Sequence, residues 1–405
     1  MEKDLIKFLE SHSGEIILAK AGGLKDAMAM REYFESVLLQ CEKSFIPFLT
    51  TLVILRREGV RKFSRSGEML FTRRGYEQAT NEAISQYKAT LVPEGASVLV
   101  ACSGIGGEAL FLSRKGLVTL LDSDPVMSYM GSWNIHVYEG SPLNVYAQTL
   151  EDFLVTSTEK FDAIFLDPDR REEDKRFVRL KDYSPNVLNL FRRLFALSSK
   201  VFVKVSPLIR EELLVLPNLK VIHYIEEGGE LKEVMLEFEE NFVEKPLKKI
   251  VSIHNSINTY ESYENEKLHI SELKEIPTSG FILEPSPAVI KSGLITELVA
   301  DIDAYVISKR GALLYVPHEP KDLSPWFKVY PIIDAQLYKP AIIKKKLLEL
   351  GIQKCTIKKR YFPLEPSEIR KQLKIKEGMD TFLIATTLAG TKRVLFITKP
   401  ANIYN

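Results

Sequence analysis

The sequence predicts an α/β protein organised around a doubly wound parallel sheet, and three features of one stretch predict it. An apolar run, Val98-Leu-Val-Ala-Cys102, ends in the glycine-rich bend Ser103-Gly104-Ile-Gly106-Gly-Glu108. A helical pattern follows, with Ala109, Leu110 and Leu112 apolar. A second apolar run, Leu117-Val-Thr-Leu-Leu, stops at the carboxylate of Asp122. Strand, tight turn, helix, strand and acid make half of a Rossmann-like nucleotide-binding unit. Gly104 and Gly106 are expected to leave room for a ligand against the backbone, where a Cβ would clash. The helix aims its first N–H groups over the bend. Asp122, 18 residues past Gly104, stands where a carboxylate accepts from both ribose hydroxyls. Cys102, Ser103, Gly104 and Gly106 in the bend, with Asp122 and Ser123 at the strand end, are the candidate cofactor-binding residues.

Upstream, residues 1–70 read as a helical cap. Leu5, Phe8 and Leu9, and later Tyr33, Phe34, Val37 and Leu38, recur at helical spacing, with a break at Gly22-Gly23. Arg61, Lys62, Arg65, Arg73 and Arg74 form a basic cluster, read either as a solvated face or as a phosphate contact. Thr80 or Asn81 caps a helix that reaches Lys88. Tyr76 and Gln78 lie within reach of the cofactor turn, and core packing is the favoured role for Tyr76.

Downstream, Val126 to Tyr138 reads as a helix, Leu143 to Thr149 as a strand, and Phe161 to Leu166 as another strand, ending in Asp167-Pro168-Asp169-Arg170-Arg171. In an open parallel sheet the ligand crevice lies at the carboxyl ends of the strands. Asp167, Pro168, Asp169 and Arg170 are therefore the candidate catalytic residues. A carboxylate at Asp167 can accept from an amine and so aim its nitrogen lone pair. The charged stretch from Arg170 to Lys181 suits either a solvated loop or a lid that meets phosphate. Asn189 to Leu197 reads as a helix and Lys200 to Val205 as a strand. Val221 to Tyr224 and Glu230 to Phe238 form a hairpin about Gly228-Gly229. Pro246 marks the end of this domain, 71–246.

From residue 247 the character changes to small α+β units. Residues 339–376 hold twelve Lys or Arg against three Glu, an excess of nine positive charges in a chain whose net charge is +1. Lys344-Lys345-Lys346, Lys358-Lys359-Arg360 and Arg370-Lys371 are the clusters, with Tyr361-Phe362 between them. That density beside aromatic rings predicts a nucleic-acid backbone footprint.

Other chemistries are disfavoured. Cys41, Cys102 and Cys355 are scattered and support neither a disulfide framework nor a metal cluster. No thiol lies near Asp167 or Lys204 in the sequence, which argues against methylation of a pyrimidine carbon through a thiol adduct. There is no run of about 18 apolar residues to span a membrane, and the charged start lacks the apolar core of a signal peptide. A cytoplasmic location is the expectation.

The bend distinguishes two cofactor classes. A dinucleotide turn places a third glycine where this chain has Ala109. The spacing Ser103-Gly-Ile-Gly-Gly-Glu108 resembles instead the first motif of class I methyltransferases. The resemblance extends to bacterial class I methyltransferases with a C-terminal THUMP-like domain. It is carried by Tyr76-Glu-Gln-Ala-Thr80, Gly104-Ile-Gly-Gly-Glu108, Asp122-Ser-Asp-Pro125, Asp167-Pro-Asp-Arg-Arg171 and Lys204-Val-Ser-Pro207. Gly229-Glu-Leu-Lys-Glu233, Glu284-Pro-Ser-Pro-Ala288 and Ile357-Lys-Lys-Arg-Tyr-Phe-Pro363 extend it. The resemblance implies S-adenosylmethionine as cofactor and RNA, tRNA or rRNA, as substrate; no metal is expected. It implies a ferredoxin-like unit within 247–324, a THUMP-like domain at 325–405, and an adenine contact among Thr149, Glu151 and Asp152, between which the sequence does not choose. Two departures stand out. Val100 occupies a place where relatives often carry an acid before the glycines. Asp169 and Arg170 stand where amine-methylating relatives often have proline and a stacking aromatic. A methyltransferase for proteins or small molecules, and a noncatalytic RNA-binding module, are the rival readings.

Overall fold

The computed structural model describes residues 2–140, 142–169, 171–172, 175–176, 180–210, 215–265, 269–308, 312–388 and 392–399. The chain divides into two compact units, Met1–Val221 with Glu233–Glu244, and Ile222–Lys232 with Lys245–Asn405.

The first unit opens with helices α1 (Glu2–Glu10), α2 (His12–Gly22), α3 (Ala27–Val37) and α4 (Ile46–Glu58). Ser11 caps α2 by accepting from the Gly14 N–H, and Asp26 caps α3 by accepting from Met28 and Ala29. Phe8, Leu18, Met30, Phe34, Leu49 and Leu52 form the buried faces. Arg57 of α4 donates to the carbonyl of Gly22 at 2.6 Å and closes the α2–α3 connection. Two further helices follow, α5 (Arg73–Gln78) and α6 (Glu82–Ala89). Asn81 rather than Thr80 caps α6, accepting from the Ile84 N–H at 2.9 Å. Tyr76 packs edge-on against Phe71, with ring centroids 5.5 Å apart, the packing role favoured from the sequence.

The sheet comes next: β1 (Ser97–Ala101), α7 (Ala109–Lys115), β2 (Leu117–Asp122), α8 (Pro125–Val137), β3 (Pro142–Ala147), α9 (Leu150–Thr156) and β4 (Ala163–Leu166). A short ribbon, β5 (Arg171–Glu172) with β6 (Lys175–Arg176), leads to α10 (Phe191–Leu197), β7 (Lys200–Val205), β8 (Leu219–Glu227) and β9 (Glu230–Glu239). Within this unit the strand order is β9-β7-β4-β1-β2-β3, parallel except for β9 against β7. The order reverses direction between β1 and β4. That reversal opens a crevice at their carboxyl ends, where the glycine bend and Asp167 both fall. The central strands are buried along nearly their whole length, as apolar runs covered on both faces must be.

The two glycines of the bend have different tasks. Both have positive φ, +52° at Gly104 and +80° at Gly106. A Cβ on Gly104 would meet no atom within 4 Å, so open space lies above it. A Cβ on Gly106 would lie 2.9 Å from the Cα of Gly131 in α8. The missing side chain of Gly106 lets α8 lie against the bend. Asn134, fully buried in the same helix, accepts from the Leu70 N–H at 2.7 Å and donates to the carbonyls of Leu70 at 3.0 Å and Ile105 at 2.9 Å. One amide side chain thereby satisfies three backbone groups that would otherwise be buried unpaired.

In the second unit β10 (Leu247–Ile253) lies between β8 and the antiparallel β11 (Ile257–Ser262). The remaining strands are β12 (Ser271–Glu272), β13 (Phe281–Pro285), β14 (Tyr305–Ser308), β15 (Leu313–Val316), β16 (Phe327–Leu337), β17 (Thr356–Arg360), β18 (Phe382–Leu388) and β19 (Lys392–Thr398). They form one sheet in the order β12-β14-β15-β13-β16-β19-β18-β17. The eleven-residue β16 pairs with β13 through Phe327–Pro331 and with β19 through Ile332–Leu337. The two small α+β units read from the sequence therefore share a continuous sheet. Helices α11 (Pro287–Ser292) and α12 (Ile295–Leu298) are separate, because Gly293 between them turns left-handed at φ +76°. Helices α13 (Pro340–Glu349) and α14 (Pro366–Leu373) bury Ile343, Leu347, Ile369 and Leu373 in one cluster with Leu383, Leu395 and Ile397.

Gly106→Ala is expected to cost about 2 kcal/mol or more through the clash with α8 and the left-handed backbone together. Gly104→Ala bears only the backbone term. Thermal unfolding of the two variants should show the larger fall in Tm for Gly106→Ala.

Candidate cofactor and transfer site

Asp122 braces the bend. Its Oδ2 accepts from the Gly104 N–H at 2.8 Å and its Oδ1 from the Asp124 N–H at 3.0 Å. Burial raises its pKa above the ordinary carboxylate value, and the two backbone N–H groups oppose that rise. Next to Gly104, the Ser103 hydroxyl is buried and has no hydrogen-bond partner among the described residues. A buried hydroxyl left unpaired costs about 1–3 kcal/mol, so an orphan donor beside open space marks where a polar ligand atom fits.

Cys102 reports which acids surround this place. Its backbone is left-handed at φ +55°. Burial pushes its thiol pKa well up, and the charges of Asp122, Asp167, Glu151 and Glu108 push it further. The carboxylates after β2 and β4 and one from the first turn of α9 thus act on a single sulfur, on one rim of the sheet. That environment disfavours the thiolate.

The three adenine candidates separate by local structure. Thr149 is the N-cap of α9, accepting from the Asp152 N–H at 3.1 Å and donating to Asp152 Oδ2 at 2.7 Å. Thr149 and Asp152 are therefore engaged with each other in capping the helix, while Glu151 is the one whose charge acts on Cys102. Ser123 is exposed at the end of β2.

The Asp167 N–H donates to the carbonyl of Ala101 at 3.3 Å, which seats Asp167 directly beside the end of β1. Its carboxylate accepts from Lys204 Nζ at 2.7 Å and is 21% exposed, so it is accessible and held at once. Pro168 is buried. Asp169 exchanges backbone hydrogen bonds with Ser184, at 2.8 and 3.0 Å, and its side chain accepts from Arg74. Arg74 also acts favourably on Asp122, which brings one member of the N-terminal basic cluster to the rim. Arg170 lies outside the described residues.

Beneath the rim lies a buried ion network that the sequence reading did not assemble. Lys204 also donates to Thr80 Oγ1 at 3.1 Å and to the Gln78 carbonyl at 3.3 Å, and stands 4.0 Å from Glu233. Thr80 donates to Glu108 at 3.3 Å. Glu108 pairs with Lys88, which in turn lies 2.7 Å from Glu233. Burial alone would neutralise these groups. For Lys88, Glu108 and Glu233 outweigh it and raise the pKa; for Glu108, Lys88 and Lys204 outweigh it and lower the pKa. Thr80, Glu108, Lys204 and Glu233 all lie in quoted motifs, but scattered along the chain; only the fold brings them together.

In the second unit the basic residues fall into two groups. Lys358 and Arg360 on β17 hold the buried Glu284: Lys358 Nζ lies 2.9 Å from Oε2 and Arg360 Nε 2.9 Å from Oε1. Tyr330 donates to the same carboxylate at 2.7 Å. Lys359 pairs with Glu365, Lys346 lies 3.4 Å from Asp334, and Arg370 donates to the Cys355 carbonyl at 3.2 Å. Lys344, Lys345 and Lys371 have no carboxylate partner among the described residues, and Lys345 and Lys371 are exposed.

Comparison with known proteins bears on both ends. Residues 327–400 match the family model "THUMP domain-like". A candidate methyltransferase of Porphyromonas gingivalis W83 superposes with a TM-score of 0.81 at 20% identity, covering 95% of this chain and 97% of its own. The chain shares the fold of that structure, with a THUMP-like region at its C-terminal end. A candidate methyltransferase of Escherichia coli matches at 20% identity and a TM-score of 0.29, over 42% of this chain and 88% of its own. A candidate RNA methyltransferase of Pyrococcus horikoshii matches at 14% identity and a TM-score of 0.23, over 32% and 56%. A search of curated proteins finds no match. Among the described residues no helix is long and apolar enough to cross a membrane.

Burial tends to raise the Glu284 pKa, but Lys358, Tyr330 and Arg360 together bring it down from 4.5 to about 2. The stability it contributes is full above 4.5 and is lost as pH falls toward about 2. Glu284→Gln should flatten acid unfolding across that window, followed by circular dichroism. The variant should also lose about 2 kcal/mol at neutral pH, because two cations lose their buried partner.

Proposed function

We propose that the protein is an S-adenosylmethionine-dependent methyltransferase acting on a base nitrogen in RNA. The observation that supports this most strongly is the crevice after β1. There, open space over Gly104 and the orphan Ser103 hydroxyl lie between Asp122 and Asp167, at the ends of the two strands that flank β1. A bend filled by side chains, or acids on opposite sides of the sheet, would have argued against it.

On this reading Asp122 binds the ribose hydroxyls, the bend from Cys102 to Gly104 supports the amino-acid and ribose portions, and Glu151 faces the adenine end. The cofactor supplies a methyl group already activated on a sulfonium. Asp167 accepts a hydrogen bond from the amine to be methylated, turns the nitrogen lone pair toward the transfer point, and takes up the proton the nitrogen releases. Positioning supplies most of the rate in such a transfer. The division into 1–70, 71–246, 247–324 and 325–405 assigns the reaction to the second segment and RNA contact to the fourth. Lys344, Lys345 and Lys371 are the phosphate contacts we favour there, because Lys358 and Arg360 are engaged with Glu284.

The test is mass spectrometry of nucleosides from cells with and without the protein, with Asp167→Ala as control. One methylated nucleoside should vanish with the gene and stay absent with Asp167→Ala. Methyl label entering only protein or metabolites would overturn the RNA reading, and cofactor binding without any transfer would overturn the enzyme.

A salt series tests the grip separately. Neutralising Lys344, Lys345 and Lys371 together should lower the slope of log affinity for RNA against log salt by about 2 or 3. An unchanged slope would remove these lysines as phosphate contacts.

A further inference from the structure

Asp167 is held by a lysine that the transfer chemistry, as derived above, does not use. Lys204 lies on β7, the strand next to β4, and its ammonium is nearly buried. It meets three acceptors within 3.3 Å: Asp167 Oδ2, Thr80 Oγ1 and the Gln78 carbonyl. A lysine in such a place carries a desolvation cost of several kcal/mol unless its partners offset it. A purely apolar side chain would fill the same space without that cost, so the charge asks for a reason.

Two consequences of the geometry supply one. First, the ammonium 2.7 Å from Asp167 favours the carboxylate form, because an opposite charge at that range stabilises it. A protonated Asp167 would offer a donor where an acceptor is needed. Second, the other two bonds of Lys204 run to residues 78 and 80, and Thr80 continues to Glu108 in the glycine bend. The acceptor for the substrate amine and the seat of the cofactor are thereby fastened to one set of buried charges, so their separation is set in advance.

We propose that Lys204 is a positioning residue for methyl transfer: it keeps Asp167 ionised and in register with the cofactor bend. This inference rests on the function proposed above.

The experiment uses the full-length chain and three forms, wild type, Lys204→Met and Lys204→Arg. Methyl transfer to RNA from cells lacking the gene gives kcat and KM across pH. Isothermal titration calorimetry gives cofactor affinity. Carboxyl 13C NMR, assigned with Asp167→Asn, follows the Asp167 titration without requiring turnover. Lys204→Met should lower kcat about 100-fold, as a small misplacement of a reacting group does. Its KM for RNA and its cofactor affinity should change far less. The acid limb of its kcat profile and the Asp167 titration should move up together by about 1–3 units. Lys204→Arg keeps the charge and should recover at least tenfold of the lost rate and most of the shift. Because Lys204→Met can fail to fold, the same comparison of Lys204→Arg with wild type stands alone: its titration midpoint should stay near the wild-type value.

An active enzyme whose kcat is unchanged in Lys204→Met, or whose acid limb stays in place while kcat falls, overturns the positioning role and leaves the proposed function standing. So does a Lys204→Arg midpoint shifted as far as expected for loss of the charge. Absence of transfer by the wild-type protein overturns the function itself, and the role with it, whatever the carboxyl titration shows.

Discussion

Four charged side chains beneath the sheet rim, Lys88 and Lys204 with Glu108 and Glu233, together with Asp167 on the rim above them, set the constraint on which the first unit depends. None of the buried four could sit there alone. A charge removed from water without a partner costs several kcal/mol, and removing one partner of a buried pair typically costs about 3–5 kcal/mol. The set therefore requires that α6, the glycine bend, the end of β4, β7 and the start of β9 arrive in one arrangement. Hydrophobic burial of the central strands drives the sheet together, but it tolerates small slips. The ion network does not, because a lysine displaced by an ångström leaves a carboxylate unpaired.

The same logic accounts for the smaller devices around it. Asp122 ties the bend after β1 to the turn after β2 through two backbone N–H groups. Asn134 ties α8 to the bend and to the segment before α5. Gly106 allows α8 to come close enough for that amide to reach. Asn134 is a polar group buried among apolar neighbours and fully engaged, and such a group specifies one arrangement among the many that a greasy core would accept.

Much of this was legible from the chain, and the reason is local. The bend, its flanking strands and Asp122 lie within about 25 consecutive residues, so apolar period and glycine chemistry read them directly. The hairpin about Gly228-Gly229 was legible for the same reason, since both glycines take positive φ, +57° and +80°. What was not legible depends on contacts distant in sequence. Lys204 and Asp167 are 37 residues apart, and Lys204 and Thr80 are 124 apart. The role of Gly106 hung on Gly131, which no pattern within the bend can announce. The pairing of Lys358 and Arg360 with Glu284 was hidden in the same way, since Glu284 lies more than 70 residues before them.

The long strand β16 has a practical bearing on how the C-terminal region can be handled. Its first half belongs to the β13 side of the sheet and its second half to the β19 side. The THUMP-like match begins at residue 327, on the first residue of that strand. A fragment cut at that boundary would keep the whole of β16 yet lose the neighbour of its leading half. The result is a bare row of N–H and C=O groups, an invitation for other chains to add themselves. Fragments meant to carry RNA contact in isolation are better begun upstream of β13, so that the strand keeps company on both flanks.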